Sequence, residues 1–320
     1  VWTQLGNDID GEAPDDRCGW SVSLNNSGYR VAVGSPQNDG NGFNSGSARV
    51  YDWNGSSWSQ VGSDINGEAI GDHSGNSVSL NASGNILAVG AIYNQDNGSN
   101  SGHVRVYEYI GNSWVQMGGD IDGEAAIDES ARSISLDSVG HKIVIGAHAN
   151  DGNGIDSGHA RLYRYLNGSW VKVGDDIDGE NADDNCGRSV CLSSNGNRVV
   201  IGSPQNDSNG SNAGHVRVYK NCTGSSFSID FQTVCDYNWN GNIYNQSGVY
   251  VDTIPGILTC DSIVTLNLNI LQSSSSIDQM SYCDSTIWVD GNTYYASNST
   301  ATYTTVNSLG CDSIITVSYT

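Results

Sequence analysis

The sequence has few basic residues, and this scarcity limits the partners that it can bind. Lys and Arg number 13 against 35 Asp and Glu, which gives a formal net charge of −22 over 320 residues. Phosphate backbones and anionic lipid surfaces are bound mainly through basic side chains. We therefore expect no nucleic-acid partner and no attraction to an anionic membrane.

Long apolar runs and zinc-type cysteine spacings are missing as well. A helix that spans a bilayer needs about 20 apolar residues, and no such run occurs, so membrane insertion is not expected. No CxxC pair or Cys/His cluster indicates a zinc site. No signal peptide is visible at the N-terminus, which fits a mature exported form. An acidic, lysine-poor, Asn/Gly/Ser-rich chain with an even number of cysteines is typical of a secreted or cell-surface protein.

What the sequence does contain is a repeat of 56 residues. The segments NDIDGEAPDD, SDINGEAIGD, GDIDGEAAID and DDIDGENADD place one glycine at Gly11, Gly67, Gly123 and Gly179. A period of this length is typical of propellers, solenoids and arrays. A catalytic centre is rarely built in four equal copies, so the repeat argues against an enzyme.

Each unit contains short β patterns separated by Gly, Asn, Asp and Ser clusters. Runs such as SVSL, RVAVG and GSARVYDW alternate with a period of two, and no segment has a capped helical pattern. Four strands in about 50 residues are typical of a propeller blade. We therefore predict an all-β chain with a four-bladed β-propeller over residues 1–220, in repeats of about 2–57, 58–113, 114–169 and 170–220.

The two ends of the propeller region are incomplete. The chain starts with VWTQLG, the last strand of a unit, and the fourth unit stops near Lys220 without that strand. The first strand is predicted to complete the fourth blade, either within the same chain, which closes a ring, or in a neighbouring molecule. The sequence leaves both alternatives open.

Residues 221–320 form a different region, with no basic residue and its own duplication. SIDFQTVCDYNWNGNIY matches SIDQMSYCDSTIWVDGNTY, which predicts two small disulfide-stapled β-sandwich-like modules at 221–272 and 273–320. Two cysteines per module favour Cys235–Cys260 and Cys283–Cys311. In a closed ring Cys18 and Cys186 would be neighbours, which predicts either a bridge or free thiols, and Cys191 with Cys222 would remain as a pair.

The repeats resemble the FG-GAP repeats of integrin-type β-propellers. The resemblance rests on GWSVSLNNSGYRVAVGSP with its copies and on GSARVYDW, GHVRVYEY, GHARLYRY and GHVRVYK. Closer still is the similarity to secreted Bacteroidota repeats, and the tail resembles CDSIVTLNL-type modules of type IX secretion substrates. The resemblance implies an extracellular protein used in adhesion, display or scaffolding. One departure is that the family's DxDxDG calcium loop reads LNNSG, LNASG, LDSVG and LSSNG here, so that calcium site is not carried over.

The acidic loops suggest a different calcium site. Hard cations take six to eight oxygen ligands, which alternating carboxylates in a Gly-containing loop can supply. The alternative is turn chemistry without an ion, because Asp-Gly and Asn-Gly favour tight turns. The candidate Ca2+ ligands form four columns of the repeat: Asp8, Asp64, Asp120, Asp176; Asp10, Asn66, Asp122, Asp178; Glu12, Glu68, Glu124, Glu180; and Asp16, Asp72, Asp128, Asp184.

For the other recurring positions, a structural role is favoured over a functional one. Repeated Trp residues favour packing between units over sugar stacking, and the repeated Arg of each xRxY strand favours an ion pair with an acidic column. The His column lacks a marked nucleophile, so no catalytic residue is predicted. Bacteroidota-type O-glycosylation, at Asp-Ser/Thr followed by an apolar residue or Thr, predicts modification at Ser138, Thr253, Ser262, Ser285 and Ser313.

These features together predict a non-enzymatic extracellular structural or adhesive protein. The unpaired first strand and the tail of linear modules suggest that the chain binds itself and is the repeating subunit of a glycosylated surface fibre. The alternative is a carbohydrate-binding, lectin-like propeller of a larger secreted protein, with glycans as partners.

Overall fold

The computed structural model describes residues 1–221, 227–239, 242–254 and 262–320, and these residues form two compact units. The first unit is Val1–Asn221 and the second is Cys222–Thr320. All regular elements of the described residues are β-strands, so the predicted all-β class is confirmed. No helix long and apolar enough to cross a bilayer is found in the described part of the chain.

The first unit contains four antiparallel sheets, one for each repeat. Their strands follow the predicted alternating runs, because apolar residues at every second position give each strand one face for the core. The first three sheets have five strands each and the fourth has three. The bounds are β1 Ser21–Leu24, β2 Arg30–Ser35, β3 Ser47–Trp53, β4 Trp58–Gln60 and β5 Ile65–Asn66; β6 Ser74–Leu80, β7 Ile86–Ala91, β8 His103–Ile110, β9 Ser113–Gln116 and β10 Ile121–Asp122; β11 Ser130–Leu136, β12 Lys142–Ala147, β13 His159–Leu166, β14 Ser169–Lys172 and β15 Ile177–Asp178; and β16 Ser189–Leu192, β17 Arg198–Ser203 and β18 His215–Lys220.

Each complete sheet is a meander whose third strand pairs with two short strands at its outer edge. In the third sheet Tyr163 of β13 lies opposite Lys172 of β14, and Ala160 lies opposite Ile177 of β15. The fourth sheet ends at β18, which pairs with β17; the described residues provide no strand equivalent to β14 or β15.

The core of the first unit lies between successive sheets. Apolar side chains of each sheet pack against those of the next, in three clusters that follow the chain order. Hydrogen bonds recur at the same places: the Ser77 hydroxyl donates to the Ala131 carbonyl, and the Ser133 hydroxyl donates to the Gly187 carbonyl. A sheet of this unit therefore buries its faces only against a neighbour.

The predicted four-bladed propeller is not confirmed, and a closed ring, one of the two alternatives that the sequence left open, is not found among the described residues. Val22 and Leu24 of β1 are 65% and 61% exposed, and Val216 and Val218 of β18 are 66% and 64% exposed. Closure would bury these side chains, as their equivalents between sheets are buried. The first ten residues also form no strand with β18. Instead the Leu5 carbonyl accepts a hydrogen bond from the Trp58 indole of the first sheet.

The second unit contains two similar three-stranded sheets, each with a small hairpin. In each sheet the central strand pairs in parallel with one neighbour and antiparallel with the other, in the orders β19-β23-β22 and β24-β28-β27. The bounds are β19 Phe227–Val234, β20 Tyr237–Trp239, β21 Asn242–Tyr244, β22 Gly248–Ile254 and β23 Ser262–Ile270; and β24 Ser274–Met280, β25 Thr286–Ile287, β26 Thr293–Tyr294, β27 Thr302–Val306 and β28 Asp312–Tyr319.

The disulfides differ from those predicted within each module. Cys235 is bonded to Cys311, across the two sheets of the second unit, and Cys283 is a free exposed thiol. The predicted pairs Cys235–Cys260 and Cys283–Cys311 are therefore wrong. The physical reason is proximity, because the loop after β19 meets the loop before β28, a contact that the spacing within a module does not reveal.

The predicted bridge between Cys18 and Cys186 is also wrong, and the alternative of free thiols holds. Each sulfur lies beside the arginine of its own sheet, Arg49 at 3.8 Å and Arg217 at 3.4 Å. Without ring closure the first and fourth sheets do not bring these cysteines together. Cys191 carries a free thiol, while Cys222 and Cys260 lie outside the described residues.

The repeated glycine of the acidic loop is required by a close approach of two backbones. A Cβ at Gly123 would lie 2.0 Å from the Ser101 carbonyl oxygen, whereas a Cβ at Gly119 would meet nothing within 4 Å. We expect Gly123→Ala to lower the free energy of unfolding by about 1–3 kcal/mol, as overpacking does. Gly119→Ala is the control, and chemical denaturation of both variants checks this; equal stabilities would contradict it.

The disulfide assignment is tested by proteolysis without reduction followed by mass spectrometry. We expect a cross-linked peptide pair that joins the segments around Cys235 and Cys311. Cys311→Ser should also destabilise the second unit, since loss of a native disulfide typically costs about 2–5 kcal/mol. Recovery of a Cys235–Cys260 peptide would contradict the assignment.

Candidate metal centre

The four acidic columns predicted to bind calcium have different roles in the structure. The column Asp16, Asp72, Asp128 and Asp184 is buried in all four repeats. The Asp128 carboxylate accepts the amide N–H of Ala125 at 3.0 Å and the side-chain amide of Asn150 at 3.1 Å. These carboxylates therefore hold the loop that follows each DIDGE segment, which supports turn chemistry for this column.

The glutamate column pairs with the arginine column. Glu12, Glu68, Glu124 and Glu180 lie 3.5, 3.4, 3.2 and 3.7 Å from Arg49, Arg105, Arg161 and Arg217. The predicted repeated ion pair is confirmed. The other Nη of each arginine donates to the backbone carbonyl of Asp10, Asn66, Asp122 or Asp178. Each arginine thus ties a sheet to the acidic loop that precedes it.

The column Asp10, Asn66, Asp122 and Asp178 contributes its carbonyl groups to this contact. Burial raises the pKa of the Asp122 and Asp178 carboxyls above the ordinary value, and Asp120 or Asp176 nearby raises it further. A cation between these carboxylates would lower that repulsion. The structure does not gather this column into a ligand cluster among the described residues.

Part of the acidic column Asp8, Asp64, Asp120 and Asp176 lies beside buried histidines. In the second sheet the donor atoms of Glu68, Asp96, His103 and Asp120 all lie within 4.8 Å of one another. In the third sheet the same holds for Glu124, His159 and Asp176. Of the predicted calcium ligands, the structure therefore groups Glu68 with Asp120 and Glu124 with Asp176; calcium binding by the whole set stays a prediction.

His103 is the most buried member of the larger cluster. It stands at the start of β8, and only 1% of its side chain is exposed. Its Nδ1 lies 3.8 Å from Glu68, 3.9 Å from Asp96 and 3.8 Å from Asp120. Burial lowers the His103 pKa below its usual value, and Arg105 lowers it further. The net effect favours the neutral form of the ring over the charged form.

The sequence interpretation missed Asp96 and His103. The signal for the histidine was available, because His103, His159 and His215 recur with the same period as the glutamates. Asp96 had no such signal, since Gly40, Gly152 and Ser208 stand at its position in the other repeats.

The amide-rich loops and the tryptophans have structural partners. The Asn97 side chain donates to the Gly123 and Glu124 carbonyls, and Asn41 and Asn153 make the same contacts in their repeats. The indoles of Trp114 and Trp170 donate to carbonyls of the preceding repeat at 2.9 and 2.8 Å. These side chains join repeats, as the packing interpretation predicted for the tryptophans.

The predicted glycosylation sites differ in accessibility. Ser285 is exposed and Ser138 is half-buried, whereas Ser313 is buried and accepts a hydrogen bond from Ser274. The side chains of Thr253 and Ser262 lie outside what the structure describes. Glycosylation stays a prediction, and Ser285 is its most accessible site among those described.

Comparison with known proteins places FG-GAP repeats in the first half of the chain. The FG-GAP repeat family model matches residues 9–51 and 66–107, which supports an FG-GAP-type repeat protein, a type common outside cells. No curated protein matches the chain.

Similar solved structures are distant in sequence. They include a candidate 6-phosphogluconolactonase from Bacteroides uniformis, with 13% identity, a TM-score of 0.43 and coverage of 62% of this chain and 49% of that chain. Hydrazine synthase of Kuenenia stuttgartiensis has 11% identity, a TM-score of 0.43 and coverage of 68% and 49%. Sqt1 of Saccharomyces cerevisiae has 13% identity, a TM-score of 0.40 and coverage of 60% and 44%. The chain spans about half the length of these proteins, and at this similarity their activities carry no argument here.

The structural role of the buried aspartates is testable. We expect Asp128→Ala to destabilise the first unit by about 1–3 kcal/mol, because the Ala125 N–H and the Asn150 amide would be left without their acceptor. Asp175→Ala, at an exposed aspartate of the next acidic loop, is the matched control. Denaturant unfolding of both variants is the measurement, and equal effects would show that Asp128 does not hold the loop.

Proposed function

We propose that this chain is a non-enzymatic extracellular structural protein, and that its copies join head to tail into a surface fibre. The observation that carries the proposal is the match between the two open ends of the first unit. One end has an open apolar cleft. The other end carries the equivalents of the side chains that fill such a cleft wherever two sheets of the unit pack together.

The cleft at the N-terminal end is lined like the core between the first two sheets. That core contains Val61, Ile65, Val78, Leu80, Leu87 and Val89, with Trp114 packed beside them. Subtracting 56 from each number gives Leu5, Ile9, Val22, Leu24, Val31, Val33 and Trp58, and all seven line the open cleft. The N-terminal cleft therefore repeats that core, but it lacks the side chains that fill it.

The missing side chains are present at the C-terminal end of the same unit. The core between the first two sheets is completed by Ala32, Ala48 and Val50, which are at most 1% exposed. Their equivalents in the fourth sheet are Val200, Val216 and Val218, which are 36%, 66% and 64% exposed. A second copy that docks its fourth sheet on the cleft would continue the repeat across the junction.

The N-terminal segment is already held in the position that such a junction needs. Leu5 accepts a hydrogen bond from Trp58 as Val61 does from Trp114, and Asp10 accepts one from Arg49 as Asn66 does from Arg105. Residues 5–10 therefore lie where the last strands of a preceding sheet would lie. The edge that faces away from Trp58 is free for a strand of a second copy.

The repeat also sets the expected register. The pairs Tyr163–Lys172 and Ala160–Ile177 in the third sheet correspond to Tyr219–Gln4 and Val216–Ile9 at the junction. Such a contact joins two different surfaces, so it continues as a filament unless the rotation between copies closes a ring.

Other features support the extracellular and non-enzymatic parts of the proposal. The Cys235–Cys311 disulfide is typical of an oxidising compartment. The carboxylates of the acidic loops recur in every repeat and bind arginines and backbone amides, as scaffold groups do. The carbohydrate-binding alternative has less support, since the repeated tryptophans and asparagines are engaged between repeats.

The proposal is tested with two variants that each block one end. Val22→Asp places a charge in the cleft, and Val218→Asp places one on the fourth sheet. Both side chains are exposed in the single chain, so both variants should fold. We expect filaments of the unmodified chain by negative-stain electron microscopy and monomers of each variant by sedimentation velocity.

An equimolar mixture of the two variants should form dimers and nothing longer, because each variant keeps one intact end. Val139→Asp, at an exposed valine in a turn of the third sheet, is the control and should leave filaments unchanged. Monomers of the unmodified chain at high concentration would refute the proposal, as would equal assembly of all variants.

A further inference from the structure

The buried histidine of the second sheet has no hydrogen-bond partner for either ring nitrogen. His103 is 0% exposed, and among the described residues nothing donates to or accepts from its Nδ1 or Nε2. A buried polar group without a partner costs about 1–3 kcal/mol. The arrangement is therefore unfavourable unless something else binds the ring.

The surroundings of His103 indicate what would bind. Oxygens of three carboxylates lie 3.8–3.9 Å from Nδ1, which is too long for a hydrogen bond. Donors around a tetrahedral zinc-sized ion lie about 3.4 Å apart, given bonds of about 2.1 Å. The Nδ1–oxygen distances exceed that spacing by about half an ångström, and all four donors lie within 4.8 Å of one another. Side-chain movements of roughly an ångström would therefore bring them to that spacing.

Two of the three carboxylates are oriented by an outer contact that leaves one oxygen directed at His103. Asp120 receives a hydrogen bond from Gln116 on Oδ1, at 2.6 Å, and directs Oδ2 at His103. Glu68 binds Arg105 through one oxygen and faces His103 with the other. Outer contacts of this kind orient the ligands of metal sites.

The third sheet is a natural comparison, because a lysine stands where a metal ion would otherwise balance the charge. Lys172 replaces Gln116 and lies beside both Asp176 and Glu124, at 2.5 and 3.9 Å, while Gly152 replaces Asp96. In the third sheet the two carboxylates face the two positive charges of Arg161 and Lys172. In the second sheet three carboxylates face Arg105 alone, which leaves two negative charges in excess.

We propose that Glu68, Asp96, His103 and Asp120 bind one divalent transition-metal ion of the zinc type. One imidazole nitrogen with carboxylate oxygens suits Zn2+ better than Ca2+, which prefers oxygen alone. All four ligands belong to one chain, so the site does not depend on the proposed assembly.

The first test is calorimetric titration of Zn2+ into the chelator-treated full chain, with Co2+ as a spectroscopic substitute. We expect one tight site per chain and a Co2+ absorption spectrum of a nitrogen- and oxygen-ligated ion. His103→Ser and Asp96→Asn should each weaken binding at least about tenfold. Ser47 occupies the histidine position of the first sheet, so the serine has a native precedent, and Asp96 is exposed, so its change should not affect folding.

Two further variants control for the general acidity of the surface. Asp175→Asn removes the same charge outside the cluster and should leave zinc affinity unchanged. The double variant Lys172→Gln, Gly152→Asp gives the third sheet the residues of the second, and the stoichiometry should rise from one ion to two.

Three results would overturn the proposal. One is the absence of a tight zinc site. Another is a zinc affinity of the His103→Ser and Asp96→Asn variants that equals the affinity of the unmodified chain. The third is a nitrogen NMR spectrum that shows His103 as an imidazolium in the presence of Zn2+, since a ring protonated on both nitrogens has no lone pair for a metal ion. Millimolar Ca2+ should not displace the bound zinc; displacement together with an unchanged His103→Ser variant would favour calcium instead.

Discussion

The packing of one sheet on the next is the constraint on which the rest of the first unit depends. A three- to five-stranded sheet with two apolar faces cannot be stable in water unless both faces are covered, and each repeat covers one face of its neighbour. Three clusters of apolar side chains supply this packing inside the chain. The outer faces of the first and fourth sheets are left over, and their exposed valines and leucine show that the unit does not cover them itself. The same constraint that stabilises the middle of the unit therefore leaves an uncovered apolar face at both ends.

Much of this arrangement follows from the period of the sequence, and the failures have definite causes. The alternating runs gave the strands, and the matched Arg and Glu columns gave the repeated ion pair, because both depend on contacts that recur every 56 residues. Ring closure depends on the angle between sheets, which no residue at a repeated position encodes, so VWTQLG did not reveal whether it completes its own chain. Cys235–Cys311 joins two modules whose internal spacings each favoured a local bridge. Only the meeting of two loops in space decides that pair.

Differences between the repeats carry the individual chemistry. The part of each acidic loop that recurs in all four repeats is structural. A buried aspartate holds the turn, a glutamate binds an arginine, and a glycine allows two backbones to meet. A few positions differ between the repeats, and these differences change the charge near the histidine. Asp96 and Gln116 leave the second cluster negative, whereas Gly152 and Lys172 neutralise the third. Reading the repeats as columns emphasised what they share, and this is why the sequence analysis found the carboxylates but missed Asp96.

The open end of the fourth sheet connects the cluster with the proposed assembly. His215 and Glu180 lie 3.8 Å apart, as a histidine and a glutamate do in the second and third sheets, but the aspartate that completes those clusters has no counterpart after Lys220. By the period of the repeat that counterpart is Asp8, at the beginning of the chain, where Gln4 donates to it as Gln116 donates to Asp120. In the head-to-tail register, Asp8 of one copy comes beside His215 and Glu180 of the next. The junction would then bring together two carboxylates and a histidine, with Gln4 where the third sheet has Lys172 and Ser208 where the second sheet has Asp96. The proposed assembly and the proposed cation binding thus rest on separate observations, and the boundary between copies is the place where both would act.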